Sequence, residues 1–121
     1  MVQDALLSGI GAGLGFAALH LANENMSDMN CLCPPLGAVA VLLFCMPSAP
    51  ASQPKAVIGG HVIAGIVAYS IVQAELPYAE ALSVALTIFG MAATKMVHPP
   101  AGAYAFLFAS KYVSLLWLPL S

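Results

Sequence analysis

The chain alternates between long apolar runs and short breaks that are polar or rich in proline. Residues 5–21 and 56–74 carry no charged side chain, and residues 79–97 form a third apolar run. An α-helix needs roughly 20 mostly apolar residues to cross the hydrocarbon core of a bilayer. The pattern therefore predicts that these three runs are membrane-spanning helices.

Two further apolar pieces, residues 35–46 and 101–110, are shorter than the spans. A helix of about twelve residues is only about 18 Å long, too short to cross a bilayer unaided. The breaks between the apolar segments are residues 23–30 (NENMSDMN), 47–55 (PSAPASQPK) and 75–78 (ELPY). The predicted order of helices is long, short, long, long, short, followed by an apolar tail.

An internal repeat links the two short pieces. Residues 33–44 are CPPLGAVAVLLF and residues 98–109 are HPPAGAYAFLFA, with six of twelve positions identical at an offset of 65. This indicates a duplication within a single membrane domain, residues 1–121, with one unit at about 5–75 and the second at about 79–121. The predicted fold is an all-α polytopic membrane helix bundle of two repeats, each a long helix followed by a short, proline-initiated helix. The copies are inverted if the short segment crosses the membrane and parallel if it re-enters, and we favour the inverted arrangement.

The composition agrees with a membrane protein and excludes several other classes. The chain is 61% hydrophobic and 7% charged, whereas a soluble domain has about 25% charged residues. A net charge of −2 without a basic patch gives no reason to expect nucleic acid as a partner. Cys31, Cys33 and Cys45 have no metal-ligand spacing with the histidines, and no catalytic grouping is visible. We therefore expect no metal, no cofactor and no enzymatic activity.

The N-terminal apolar run lacks the positive flank of a signal peptide, since Asp4 precedes it. We interpret it as a retained membrane helix, which suits a bacterial inner membrane. Gly9, Gly11, Gly13 and Gly15 give this run two overlapping GxxxG frames, which let helices approach closely in lipid. Such a face also suits the association of copies of the chain into a homo-oligomer.

The proline pairs of the repeat point to a binding site for an anion. Proline favours the first turn of a helix, so Pro35 and the pair Pro99 and Pro100 are expected to begin the two short helices. Free N–H groups and the positive end of the helix dipole would then face a solute. Gly37 and Gly102, just inside each helix, would allow its close approach. If the repeat is inverted, the two helix N-termini are expected to converge from opposite sides, with a small anion between them.

Two dipoles are not sufficient for binding, so a polar side chain must contribute. A helix end stabilises an anion by about 0.3–2 kcal/mol, while removing the ion from water costs several. His98 is positioned to donate a hydrogen bond or pass a proton; alternatively it is structural and bonds a loop carbonyl. His61 is either a second functional residue or an interfacial one, and His20 is expected at the interface. Gln53 borders a proline-rich break, either at a pore mouth or as an ordinary loop residue.

Several ordered motifs resemble the HPP family of integral membrane proteins. They are PLGAVAVLLF at residues 35–44, then Gln53-Pro54, Gly59-Gly60-His61 and the HPPAGA motif that begins at His98. His98, Pro99, Pro100 and Gly102 match the signature of the family, and His61 and Gln53 match its earlier motifs.

The resemblance implies a protein with four membrane-spanning helices. Characterised plant and cyanobacterial members of the family transport nitrite, so the resemblance also implies transport of nitrite or a similar small anion. The family's chain normally continues into another helix after a segment like residues 117–119. We therefore expect the second unit to be shortened.

The leading hypothesis is a passive or proton-coupled transporter or channel for a small anion, nitrite first, embedded in the lipid bilayer. The alternative is a membrane scaffold or subunit that does not transport and packs through its glycine-rich helix faces.

Overall fold

The computed structural model of the protein describes residues 1–25 and 34–116. Within these ranges the chain forms five α-helices and one 3-10 turn, and no strand. The all-α prediction is therefore confirmed. Residues 26–33, which include Cys31, Cys33 and most of the loop predicted over residues 23–30, lie outside the described residues, as does the tail after Leu116. Residues 23–25 of that predicted loop are helical and end α1. The elements are α1 (Val2–Asn25), α2 (Pro35–Cys45), the 3-10 turn (Pro50–Ser52), α3 (Pro54–Gln73), α4 (Ala79–Thr94) and α5 (Pro99–Leu116).

The helices differ in length from the predicted segments. The prediction of a second short helix over residues 101–110 is wrong, because α5 has 18 residues and continues past Lys111. A lysine at this position does not stop a helix, since its apolar stem can lie along the surface. Conversely, α4 has only 16 residues and ends at Thr94. Only α2, with 11 residues, is a short helix of the predicted kind, and the two-repeat arrangement stays a prediction.

Helices α2 and α5 carry the two copies of the repeated motif, and the end of the first lies near the start of the second. Ser52 Oγ donates to the carbonyl oxygens of Leu42 (2.9 Å) and Met46 (2.7 Å), which holds the 3-10 turn against the end of α2. His98, immediately before α5, bonds the same turn at Ala51. The end of α2 therefore lies beside the start of α5. Since α2 is about 16 Å long, the prediction that the two proline-started N-termini converge is wrong.

The three helices α3, α4 and α5 pack around a core of small side chains. Ala64 and Ala68 of α3 and Ala101 and Ala105 of α5 are fully buried, and Met91 of α4 packs with them. Small residues let helix backbones come close, which is the usual way helices associate in lipid. The buried stripes have a spacing of four residues: Ala56, Gly60, Ala64 and Ala68 on α3; Ala79, Ser83, Thr87 and Met91 on α4; and Ala101, Ala105 and Ala109 on α5.

Helix α1 lies outside this core and has no buried residue. It packs on α2 through Phe44, whose carbonyl oxygen accepts a hydrogen bond from Ser8 Oγ (2.8 Å). The Phe44 ring also lies against Gly11, because a Cβ built on this glycine would be only 2.7 Å from two ring carbons. Of the two predicted GxxxG frames, the structure uses the one that contains Gly11. By length and apolar composition, α1 and α3 are the two described helices able to cross a membrane.

Candidate functional site

The end of α4 turns the chain back towards α3. Lys95 has a left-handed backbone (φ 55°), and the N–H groups of Lys95 and Met96 bond the carbonyl oxygens of Ala92 (3.3 Å) and Met91 (2.9 Å). This pair of bonds is a Schellman motif, here formed without the usual glycine. Met96 consequently lies against Gly59 of α3, at the position a Cβ would occupy. The turn thereby directs His98, two residues after Met96, into the bundle.

The start of α5 offers no free backbone N–H group over its first three residues. Pro99 and Pro100 have none, and the N–H of Ala101 bonds the His98 carbonyl oxygen at 3.0 Å. In α2 the N–H of Gly37 is similarly bonded to the Pro34 carbonyl oxygen at 3.1 Å. The predicted cradle of bare amides is therefore wrong for α5, because the prolines that start the helix also remove its donors.

His98 is fully buried and uses its two ring nitrogens differently. Nδ1 lies 2.7 Å from the carbonyl oxygen of Ala51, and because a carbonyl oxygen can only accept, Nδ1 carries the proton. This is the loop bond that the structural interpretation of His98 predicts. Nε2 is buried and has no hydrogen-bond partner within residues 1–25 and 34–116. In the neutral ring it is a lone-pair acceptor pointing into the protein interior, so the structural role of His98 leaves one nitrogen unused.

His61 of α3 lies next to His98. Their ring centroids are 5.0 Å apart, with the rings tilted by 54°. The Nδ1 of His61 donates to the Val57 carbonyl oxygen (2.8 Å), one turn earlier in the same helix. Tyr104 of α5 approaches the His61 ring edge-on, at 5.9 Å between centroids. The structure therefore brings together two of the three histidines, whereas His20 is exposed on α1 beside Glu24.

Gly60 makes this close approach possible. A Cβ built on Gly60 would lie 2.8 Å from the Cβ of His98, and 3.3 Å from both the Met91 sulfur and the Met96 carbonyl oxygen. No other residue type fits without displacing one of these groups. Gly59-Gly60-His61 thus combines two glycines that admit the α4–α5 connection and one histidine that faces it.

The electrostatic environment of His98 favours the uncharged ring. His98 belongs to the connection between α4 and α5, outside the membrane-spanning helices, and its burial lowers its pKa below the ordinary value. The hydrogen bond to Ala51 opposes this effect, and the neighbouring His61 adds to it.

The remaining predicted site residues lie in three different places: Gln53 in the loop before α3, Gly102 in α5, and Pro35 and Gly37 at the start of α2. Gln53 is exposed, and its Nε2 donates to the carbonyl oxygens of Pro47 (3.0 Å) and Ala49 (3.2 Å), so its amide secures the loop. Gly102 lies with Pro99 in an apolar groove of about 470 Å³ between α4 and α5. Pro35 and Gly37 lie at the far end of α2, and no atom comes within 4 Å of a Cβ built on Gly37.

Two polar residues that the sequence analysis missed lie inside the bundle. The hydroxyls of Ser83 and Thr87 on α4 are fully buried and have no hydrogen-bond partner. Ser70 and Thr94, in contrast, donate to the carbonyl four residues earlier, both at 2.7 Å. The signal that could have found them is the four-residue spacing of small side chains along α4, which marks its inner face.

The unpaired Thr87 hydroxyl leads to a prediction on stability. An unsatisfied buried hydroxyl costs about 1–3 kcal/mol, and valine has nearly the same shape without it. We expect Thr87→Val to raise the free energy of unfolding by about 1 kcal/mol or more, measured by equilibrium unfolding in mixed micelles of a mild detergent and SDS. Ser70→Ala is the control and should change it by less than about 0.5 kcal/mol. A loss of stability in Thr87→Val would show that the hydroxyl has a partner in the folded protein.

The fold and the site together define a helical membrane protein in which a histidine is buried between the end of α4 and the start of α5. The sequence profile described as the HPP transmembrane region matches residues 1–120, and the chain belongs to this family.

Two curated relatives are transmembrane proteins of Dictyostelium discoideum. One is 36% identical over 101 residues, covering 78% of this chain and 32% of the relative. The other is 33% identical over 101 residues, covering 78% of this chain and 35% of the relative. The chain thus spans about one third of the length of these relatives. No solved structure matches it.

Proposed function

We propose that this protein transports a small anion across a membrane, nitrite first. The observation that carries the proposal is the Nε2 of His98, fully buried and without a partner in a helical membrane protein. An ionisable side chain in such a protein is a functional candidate, because an unused polar atom there is costly to retain. The choice of nitrite follows from the resemblance of the motifs around His61 and His98 to those of nitrite transporters.

The helix N-termini near His98 favour the binding of an anion, although they belong to α3 and α5 and not, as predicted, to α2 and α5. Helix α3 begins at Pro54, directly after the 3-10 turn that bonds His98, and α5 begins at Pro99. Their positive dipole ends therefore lie at the same end of the bundle. Each contributes about 0.3–2 kcal/mol, less than the several kcal/mol lost when an ion leaves water. His98 is the side chain we propose to supply the remainder, with His61 beside it; the Nε2 of His98 donates to an anion when it carries a proton.

We assign the protein to a lipid bilayer, and to the bacterial inner membrane in particular. The support for a bilayer is α1, which is long and apolar enough to cross one. A homo-oligomer is part of the same proposal.

A second candidate function is that of a membrane scaffold or subunit without transport activity. Helix α1 favours it, because α1 has no buried residue and nothing lies within 4 Å of a Cβ built on Gly9 or Gly13. That glycine face is free, within the described chain, to pack against another helix in lipid.

Nitrite flux into proteoliposomes tests the transport proposal. We compare the wild type with His98→Asn, because the amide of asparagine can still donate to Ala51 while the second ring nitrogen is lost. A hydrogen bond to a charged group is worth about 1.5–3 kcal/mol, so uptake should fall by about tenfold or more in the variant. Nitrous acid crosses lipid by itself, so the rate in protein-free liposomes, measured in mildly alkaline buffer, is subtracted.

The control variant is His20→Asn, which removes an exposed histidine from α1 and should leave the flux unchanged. Flux equal to that of protein-free liposomes, from protein whose helical circular dichroism is intact, would reject transport of nitrite and favour the scaffold. Equal flux in the wild type and His98→Asn would show that transport does not use this nitrogen.

A further inference from the structure

Three N–H donors near His98 are already bonded, while the Nε2 of His98 is an unused acceptor. The Nδ1–H of His98 is bonded to Ala51, and the Nδ1–H of His61 is bonded to Val57. The first amide of α5, that of Ala101, is bonded to the carbonyl oxygen of His98 itself. An anion needs donors, and a neutral site of this kind has none of these to offer.

What remains is a pair of imidazole lone pairs. The Nε2 of His98 is buried and unpaired, and the Nε2 of His61 has no partner among the described residues. Both rings have their proton on Nδ1, and their centroids are 5.0 Å apart. A bare anion beside the Nε2 of His98 would face a lone pair in a buried region of low dielectric, where repulsion is strongly felt. A solute that brings its own proton would instead find an acceptor.

Among the described residues, no charged side chain is recorded in contact with His98. His61 lies beside it on α3, and Tyr104 of α5 lies beside His61. From α4 the neighbour is Met91, and the hydroxyl of Thr87 lies one turn further along, about 6 Å away along the axis. The 3-10 turn contributes the carbonyl of Ala51. Lys55 and Lys95, at the same end of the bundle, are exposed.

We infer that this site binds a small weak acid, that is, an anion and a proton together, with the Nε2 of His98 as the proton acceptor. The inference rests on the proposed transport function and names its substrate class. In one limit the proton stays on the solute, whose O–H donates to Nε2; in the other it forms a new N–H bond at Nε2, and the imidazolium donates to the anion. Both limits contain the same atoms, and the net charge of the loaded site equals that of the empty one. Transport is therefore electroneutral, one proton with each anion.

Calorimetry can count the proton. We titrate the detergent-solubilised full chain with nitrite in two buffers of different ionisation enthalpy but the same pH. The difference in heat should correspond to uptake of about one proton per nitrite bound. In His98→Asn the uptake should disappear, and in His20→Asn it should be unchanged. Nitrogen-15 NMR of labelled histidine supplies an independent readout, because the Nε2 signal of His98 should move from that of an acceptor towards that of a protonated nitrogen.

Flux experiments separate this inference from the transport proposal itself. An inward proton gradient should accelerate nitrite uptake by the wild type above the protein-free rate, and a membrane potential alone should not. Nitrite uptake driven by the potential, or binding without proton uptake, would overturn the inference and leave anion transport standing. Ammonium binding with no nitrite binding would overturn both, since it would show that the lone pairs select a cation. Absence of nitrite flux together with absence of nitrite binding would also overturn both.

Discussion

Replacement of His98 by alanine is expected to lower the free energy of unfolding by roughly 2–5 kcal/mol. The variant leaves a cavity where a fully buried ring had been and leaves the Ala51 carbonyl oxygen without its donor. Cavity formation and an unpaired buried acceptor each cost several tenths to a few kcal/mol, and they add at this position. The loss is measured by equilibrium unfolding in mixed micelles of a mild detergent and SDS.

The matched variant His98→Asn separates the cost of the cavity from the cost of the lost hydrogen bond to Ala51. Its side-chain amide can reach the Ala51 carbonyl oxygen, so we expect it to recover about 1 kcal/mol relative to alanine. Comparable stability of the two variants would mean that the bond to the 3-10 turn contributes nothing and that His98 stabilises the fold by its volume alone. His98→Asn is thus less damaging to the fold than alanine but lacks the free nitrogen, which is why it is the variant chosen for the flux experiment.

The second large effect is expected for Gly60→Ala, with a loss of about 1–3 kcal/mol. The new methyl group would lie 2.8 Å from the Cβ of His98 and 3.3 Å from the backbone oxygen of Met96. Neither neighbour can move aside without displacing the α4–α5 connection, so this is overpacking of a site without space. The loss should exceed the gain of about 0.5–1 kcal/mol that alanine brings to a helix interior.

Gly65→Ala in the same helix provides the control. Nothing lies within 4 Å of a Cβ built there, so only the helix-propensity gain applies and stability should rise slightly. If the two substitutions changed stability equally, Gly60 would not be packed against His98 and Met96 of the α4–α5 connection. Because Gly60 also sets the distance between α3 and His98, nitrite flux should fall together with stability in Gly60→Ala but not in Gly65→Ala.

The elements that local patterns control were predicted well. Prolines mark the starts of α2, α3 and α5, because a residue without an N–H fits the first turn of a helix and disrupts its interior. The ELPY turn between α3 and α4 was recognised from its sequence. The end of α4 was not, because Lys95 adopts a left-handed conformation that glycine usually signals.

The candidate site was predicted in part. His98 and His61 were identified as candidates, and the structure brings their rings together. Pro35 and Gly37 were assigned to the same site on the strength of the repeat, but they lie at the other end of α2. Sequence similarity between two segments shows that they fold alike locally and carries no information about whether they meet. Ser83 and Thr87 were missed, because a single hydroxyl in an apolar run does not show which face of its helix is buried.

The sequence by itself determined that this is a helical membrane protein, where its helices begin, and which histidine belongs to the signature motif. These properties depend on residue type and on neighbours along the chain. Only the tertiary structure decided that α3 rather than α2 shares its N-terminal end with α5, and that the last free nitrogen of His98 is an acceptor. Both depend on a contact between residues 47 positions apart, the bond from His98 to Ala51. Which proton a ring retains is set by its partner in space.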